Sequence, residues 1–143
     1  MIRKERKNLL AELIQSNPGI QFSELMRQTG MKNGVLSHYA RKLEKKGTAI
    51  VERTSRVTRY YPQDFSKEEI FLAKNLRRET PRHIIVVLLR NNQLTFSEIA
   101  NKVNRSHPTV SLCLTKLIEG HVIECKIVNI KRIFQIIPTW LTK

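Results

Sequence analysis

The sequence predicts an α+β chain, mainly helical, in which two copies of one small unit are joined by a helix. Three observations predict it. Phe22-Ser23-Glu24-Leu25 returns 74 residues later as Phe96-Ser97-Glu98-Ile99, and the two stretches align without a gap to Leu43 and Leu117. Each copy places apolar residues at helical spacing. Each then changes to β-branched and aromatic runs interrupted by a turn. Self-similarity at one offset is how a duplicated unit shows itself. Over the 22 aligned positions six are identical: Phe22/Phe96, Ser23/Ser97, Glu24/Glu98, Ser37/Ser111, Lys42/Lys116 and Leu43/Leu117. The expected units are residues 1–65 and 81–143, with a joining helix over 66–80.

The elements follow in order. Leu9, Leu10, Leu13 and Ile14 carry the first helix, and Asn17-Pro18-Gly19 ends it. Ser23 is expected to cap a short second helix, because its hydroxyl can accept from an otherwise unpaired amide. Thr29-Gly30-Met31-Lys32-Asn33 is a polar turn, and a third helix runs over about 33–46. Thr48 to Arg53 and Val57 to Tyr61 flank Thr54-Ser55-Arg56 as a hairpin. Between the copies, Ser66 and Glu69 form a capping box that opens a helix to Glu79, with Pro81 just beyond its end. Ile70, Phe71, Ala73 and Leu76 give that helix an apolar side that must be buried. Copy two repeats the plan. Its first helix holds Ile84 to Leu89, Asn91-Asn92 breaks it, and Ser97 is the expected cap of the second. The third runs over about 108–119, with Pro108 in a first turn where its missing N–H costs nothing. Val122 to Val128 and Ile130 to Ile137 flank a turn at Asn129. A glycine follows each third helix, Gly47 and Gly120.

Charge narrows the class of partner. There are 26 Lys plus Arg against 12 Asp plus Glu, a net charge of +14. Residues 1–65 and 66–143 each carry 13 basic and 6 acidic side chains, so the excess is shared rather than confined to a tail. Such a chain favours a polyanion, whose condensed counterions Lys and Arg can replace. The basic start, Met1 to Lys7, lacks an apolar signal core, and the longest apolar run, Ile84 to Leu89, is too short to span a bilayer. No membrane association is expected. Cys113 and Cys125 make no disulfide framework. With His107 and His121 they lack the close ligand pairs of a closed metal site, and both read as buried free thiols. No glycine-rich phosphate loop or nucleophile–base order is present, so neither enzyme activity nor a cofactor is expected. Trp140 reads as a packing anchor.

Three helices, a polar turn between the second and third, and a closing hairpin make the winged helix-turn-helix pattern. Phe22-Ser23-Glu24-Leu25 leading to Val35 through Gly47, and Phe96 through Ala100 leading to Val110 through Gly120, resemble tandem winged-helix regulators related to the MarR and ArsR families. The resemblance covers nearly the whole chain. It implies double-stranded DNA as partner, a role in transcription regulation, and a cytoplasmic, nucleoid-associated place. It also implies a homodimer, since related regulators often pair to match two-fold sites. A sequence-tolerant chromatin or architectural DNA-binding protein, or a winged-helix protein-interaction scaffold, stay open as alternatives. The third helix of copy two is less basic than such families usually show.

Turning each third helix by 100° per residue separates its faces. In copy one Leu36, Tyr39, Ala40 and Leu43 fall inward. Gly34, His38, Arg41 and Lys45 fall outward, flanked by Ser37 and Lys42. A recognition helix enters the major groove N-terminal end first, so Ser37, His38 and Arg41 are the base-edge candidates, Arg41 suiting guanine. Lys32, Asn33, Lys42, Lys45 and Lys46 are expected around them, the lysines on phosphates. Arg53, Arg56 and Arg59 lie on or near the first hairpin. In copy two the outward face is Pro108, Leu112, Thr115 and Glu119. The candidates left there are Arg105, Ser106, His107 and Lys116, with Lys126, Lys131 and Arg132 near the wing.

Overall fold

Apolar spacing and turn chemistry build two small cores in the computed structural model, which describes residues 3–141. Met1 and Ile2, at the basic start, lie outside the described residues. The chain divides into one unit over Met1–Ile70 and a second over Phe71–Lys143.

In the first unit α1 (Arg3–Ser16) turns Leu10 and Ile14 inward. Asn17 ends it: its backbone N–H and its side-chain amide both donate to the Leu13 carbonyl, at 2.9 and 3.0 Å. Gly19, at φ 86°, lets the chain double back, and its N–H reaches the Tyr60 carbonyl at 2.8 Å. There β1 (Ile20–Gln21) joins β2 (Ala49–Arg53) and β3 (Thr58–Pro62) in an antiparallel sheet of order β1-β3-β2. Helices α2 (Phe22–Thr29) and α3 (Asn33–Lys45) close the unit. Gly30 stops α2 in the left-handed region, φ 72°, so α3 begins within three residues. Leu10, Ile14, Ile20, Leu25, Leu36, Tyr39, Ala40, Leu43, Ala49 and Tyr60 form one core.

The Ser66 capping box is present: the Ser66 N–H donates to Glu69 Oε1 at 3.0 Å, and the Glu69 N–H to Ser66 Oγ at 3.1 Å. The helix it opens, α4 (Lys67–Leu76), ends three residues before Glu79. Asn75 is buried, its side-chain amide donating to the Phe71 carbonyl at 2.8 Å. Pro81 does not stop this helix. It is the third residue of α5 (Glu79–Arg90), where an amide would have had no helical partner. Of the apolar side of α4, Phe71 packs on the second core with Leu72, while Leu76 is exposed.

The second unit continues with α6 (Phe96–Val103), α7 (His107–Glu119), the hairpin β4 (Ile123–Val128) and β5 (Lys131–Ile136), and one turn, α8 (Pro138–Leu141). Neither Ser23 nor Ser97 caps its helix, since α2 and α6 start one residue earlier. Gln21 precedes α2 without a side-chain cap, and Thr95 caps α6 in a capping box with Glu98. Ser106 caps α7. Trp140 is half-buried on the second core and its Nε1 donates to the His121 carbonyl at 2.8 Å. Cys113 packs against that core, but Cys125 is exposed, because β4 has left the core by that residue. No helix among the described residues is long and apolar enough to cross a membrane.

The two hairpins hold the same register across the repeat: Ala49 pairs Pro62, and 74 residues on Ile123 pairs Ile136. Gly47, at φ 73°, therefore corresponds to His121, at φ 60°, and not to Gly120. Gly120 serves a different need. A Cβ there would run into the Phe71 ring. Gly120→Ala must push that ring off the second core, and should cost about 1–3 kcal/mol. Urea unfolding followed by circular dichroism checks this, with Gly34→Ala, whose Cβ meets nothing within 4 Å, as the comparison.

Candidate nucleic-acid interface

Helix α3 presents two unlike faces. Leu36, Tyr39, Ala40 and Leu43 are buried and fix its rotation. Asn33, Gly34, Ser37, His38, Arg41, Lys42 and Lys45 line one open depression on the other side. Arg41 and Lys45 are exposed and make no ion pair among the described residues. Ser37 Oγ donates to Asn33 Oδ1 at 3.3 Å, and the His38 ring meets Tyr39 edge-on at 5.2 Å. Lys32 stands at the N-cap of α3 with an extended backbone. The geometry leaves the small and basic side chains of α3 free to meet a partner, while Tyr39, under the Arg6 guanidinium at 5.9 Å, anchors the helix to α1.

The wing of this unit is tied to α3. Arg53 Nη2 and Nη1 donate to Glu44 Oε1 and Oε2 at 2.7 and 2.9 Å, a two-toothed pair that closes the groove between helix and hairpin. The hydrogen bond from Arg53 holds the Glu44 carboxyl below its ordinary range. Burial raises the Tyr60 phenol, which lines the same groove. With the folded pKa lowered, the stabilisation from the pair is complete above the ordinary carboxylate value. It is lost as pH falls through the lowered one. Both side chains are more than a third exposed, so the effect is under about 1 kcal/mol. Acid titration of stability should show a small step that Glu44→Gln removes, checked by thermal melts between pH 5 and pH 3, a range about the ordinary carboxylate pKa.

Not every candidate is free for DNA. Arg53 is occupied by Glu44. Arg59 is half-buried, its Nη1 donating to the Gly19 carbonyl at 2.9 Å, so it braces the β1 turn. Arg56 sits exposed at the wing tip, where Thr54 Oγ1 accepts from the Arg56 and Val57 amides. In the second unit Arg105 is held by Glu79 at 2.9 Å and Thr80 at 3.3 Å, and Ser106 is a cap. His107 meets Phe96 edge-on at 5.2 Å. Lys116, Lys131 and Arg132 remain exposed. Glu44 was not among the sequence candidates: it pairs across the turn with a residue nine positions on, and nothing local marks it.

The common register permits a comparison residue by residue. His38, Arg41 and Lys45 correspond to Leu112, Thr115 and Glu119, all exposed. The Glu44–Arg53 pair corresponds to Ile118 and Ile127, and Arg56 to Ile130. One scaffold thus carries a basic face in the first unit and a largely apolar, weakly charged one in the second.

Residues 4–70 match a family model described as an N-terminal HTH domain, and residues 77–124 match one described as winged helix-turn-helix DNA-binding. No curated protein matches the chain. With one such domain in each unit and a hairpin after each third helix, the chain is a tandem winged helix-turn-helix DNA-binding protein.

Proposed function

We propose that this protein regulates transcription by binding duplex DNA sequence-specifically, with α3 and the wing of the first unit as the reading elements. The observation that carries this is Arg41, without an ion pair among the described residues, set between Ser37, His38 and Lys45 on the face of α3 opposite its buried stripe. Guanidinium suits the paired acceptors of guanine in the major groove, and Ser37 and His38 can reach neighbouring edges. Lys32, Lys42 and Lys45 neutralise phosphates around them, and Arg56 reaches the backbone from the wing. In the second unit Lys116, Lys131 and Arg132 hold backbone only. The action is steric or recruiting, without catalysis. The protein works beside the nucleoid in the cytoplasm, as a dimer on two-fold sites.

A salt titration of duplex binding tests the reading. With ~6 phosphates neutralised, log K should fall against log salt with a slope near −5. A flat dependence between about 50 and 200 mM salt would defeat it. Lys45→Ala should weaken all duplexes alike and reduce the slope by about 1.

The second unit favours one other reading of its own part. On the outward face of α7, Leu112 and Glu119 offer poor phosphate partners, and the Thr115 hydroxyl is turned to the Ser111 carbonyl at 2.9 Å. That unit then serves DNA shape or another surface rather than base readout.

A further inference from the structure

The turn of the second wing is Asn129-Ile130, with φ of 50° and 71°. Two successive left-handed residues make the turn that best fits a two-residue hairpin, and its second position favours glycine. A β-branched residue there is an outlier, because its Cβ crowds the backbone. Ile130 is also 98% exposed, so no packing among the described residues offsets the strain. Ile127 and Val128 beside it are 74% and 41% exposed. Directly behind this apolar tip are Lys131, opposite Val128, and Arg132, opposite Ile127. Lys126 stands on β4 just below, half-exposed and 3.3 Å from Glu124. In the first wing the same register holds Arg56, in a turn without a left-handed residue.

Strain kept at an exposed tip points to a task outside folding. The chemistry of the tip is mixed: an apolar point, ringed by cations. A base step in duplex DNA offers the complement, an apolar stack edged by phosphates. Apolar wedges flanked by Lys or Arg unstack such steps and bend the duplex. We propose that Ile130 is a wedge that enters a base step of duplex DNA, with Lys126, Lys131 and Arg132 on the adjoining phosphates. The second unit then acts on DNA shape while the first reads bases. This rests on the DNA-binding reading of the chain. The ring of positive charge selects DNA over a protein surface as occupant.

The test uses the full chain and duplexes carrying 2-aminopurine at successive positions, with dyes at both ends. Wild type should brighten 2-aminopurine at one step and shorten the end-to-end distance. Ile130→Gly removes strain and wedge together. It should raise the melting temperature of the protein, abolish both signals, and weaken binding on the order of tenfold, a step of about 1.4 kcal/mol. Ile130→Asn, which tolerates the same backbone, should also lose both signals. If either variant unstacks and bends like wild type, or wild type binds without unstacking any step, the wedge is wrong and the DNA reading stands. If wild type binds no duplex, both fall. If the variants leave DNA unchanged and instead dissolve a dimer in sedimentation, the tip is a protein contact and the wedge is overturned.

Discussion

Leu36→Ala is expected to destabilise the first unit by about 2–5 kcal/mol, the range for deleting a fully buried leucine. Leu36 is wholly buried under α3, among Leu10, Leu25 and Leu43. A unit of this size has only roughly 4–10 kcal/mol of stability, scaled per residue. The loss is therefore a large share of the total, and duplex affinity should fall with the folded fraction. Urea unfolding should show a lower midpoint at unchanged slope. Val35→Ala, one position away on the exposed side, should change stability by less than about 1 kcal/mol. Equal effects at the two positions would mean that α3 is not rotated as described.

Arg41→Ala carries the largest expected effect on binding in a protein that stays folded. It should cost about 1–3 kcal/mol and relax preference at one base position, as loss of a two-toothed contact to guanine does. Arg41 lies on the open face with no ion pair among the described residues, so its removal leaves no buried charge behind. The matching residue of the second unit, Thr115, donates its hydroxyl to the Ser111 carbonyl at 2.9 Å. Thr115→Ala should change binding little. Glu119→Lys should raise affinity for all duplexes alike, by exchanging a charge that phosphate repels for one that it attracts. Binding isotherms on one duplex and its single-base variants check all three. If Thr115→Ala proved as damaging as Arg41→Ala, both units would have to be treated as readers.

The repeat, the helix–turn–helix order and the buried stripes of α3 and α7 were legible because each rests on local spacing. Leu36, Tyr39, Ala40 and Leu43 need only a 3.6-residue period to be placed. The capping box at Ser66 was legible for the same reason. Thr95 and Glu98 make a second box that the shared Ser97 obscured, since serine at the start of a short helix suits a cap and also tolerates the first turn. Strand β1 has two residues and no period of its own; it exists because Ile20 and Gln21 pair with Tyr60 and Arg59. Arg53, Arg59 and Arg105 look alike in sequence. Only folding reveals that each has a partner, Glu44, the Gly19 carbonyl and Glu79. Ile130 escaped because turn rules place Asn or Gly in the left-handed region and exclude a branched side chain.

The first unit is proposed to read base sequence. This is tested most directly by comparing the affinity of the full chain for a duplex selected from a random library with its affinity for random duplexes. Both are measured at the same physiological salt. Base reading by α3 predicts a ratio of at least about 10³, as for specific DNA-binding proteins, and its collapse in Arg41→Ala toward the random value. A ratio near one, with a steep salt dependence and no effect of Arg41→Ala beyond that of Lys45→Ala, would contradict it and leave a binder of DNA backbone alone.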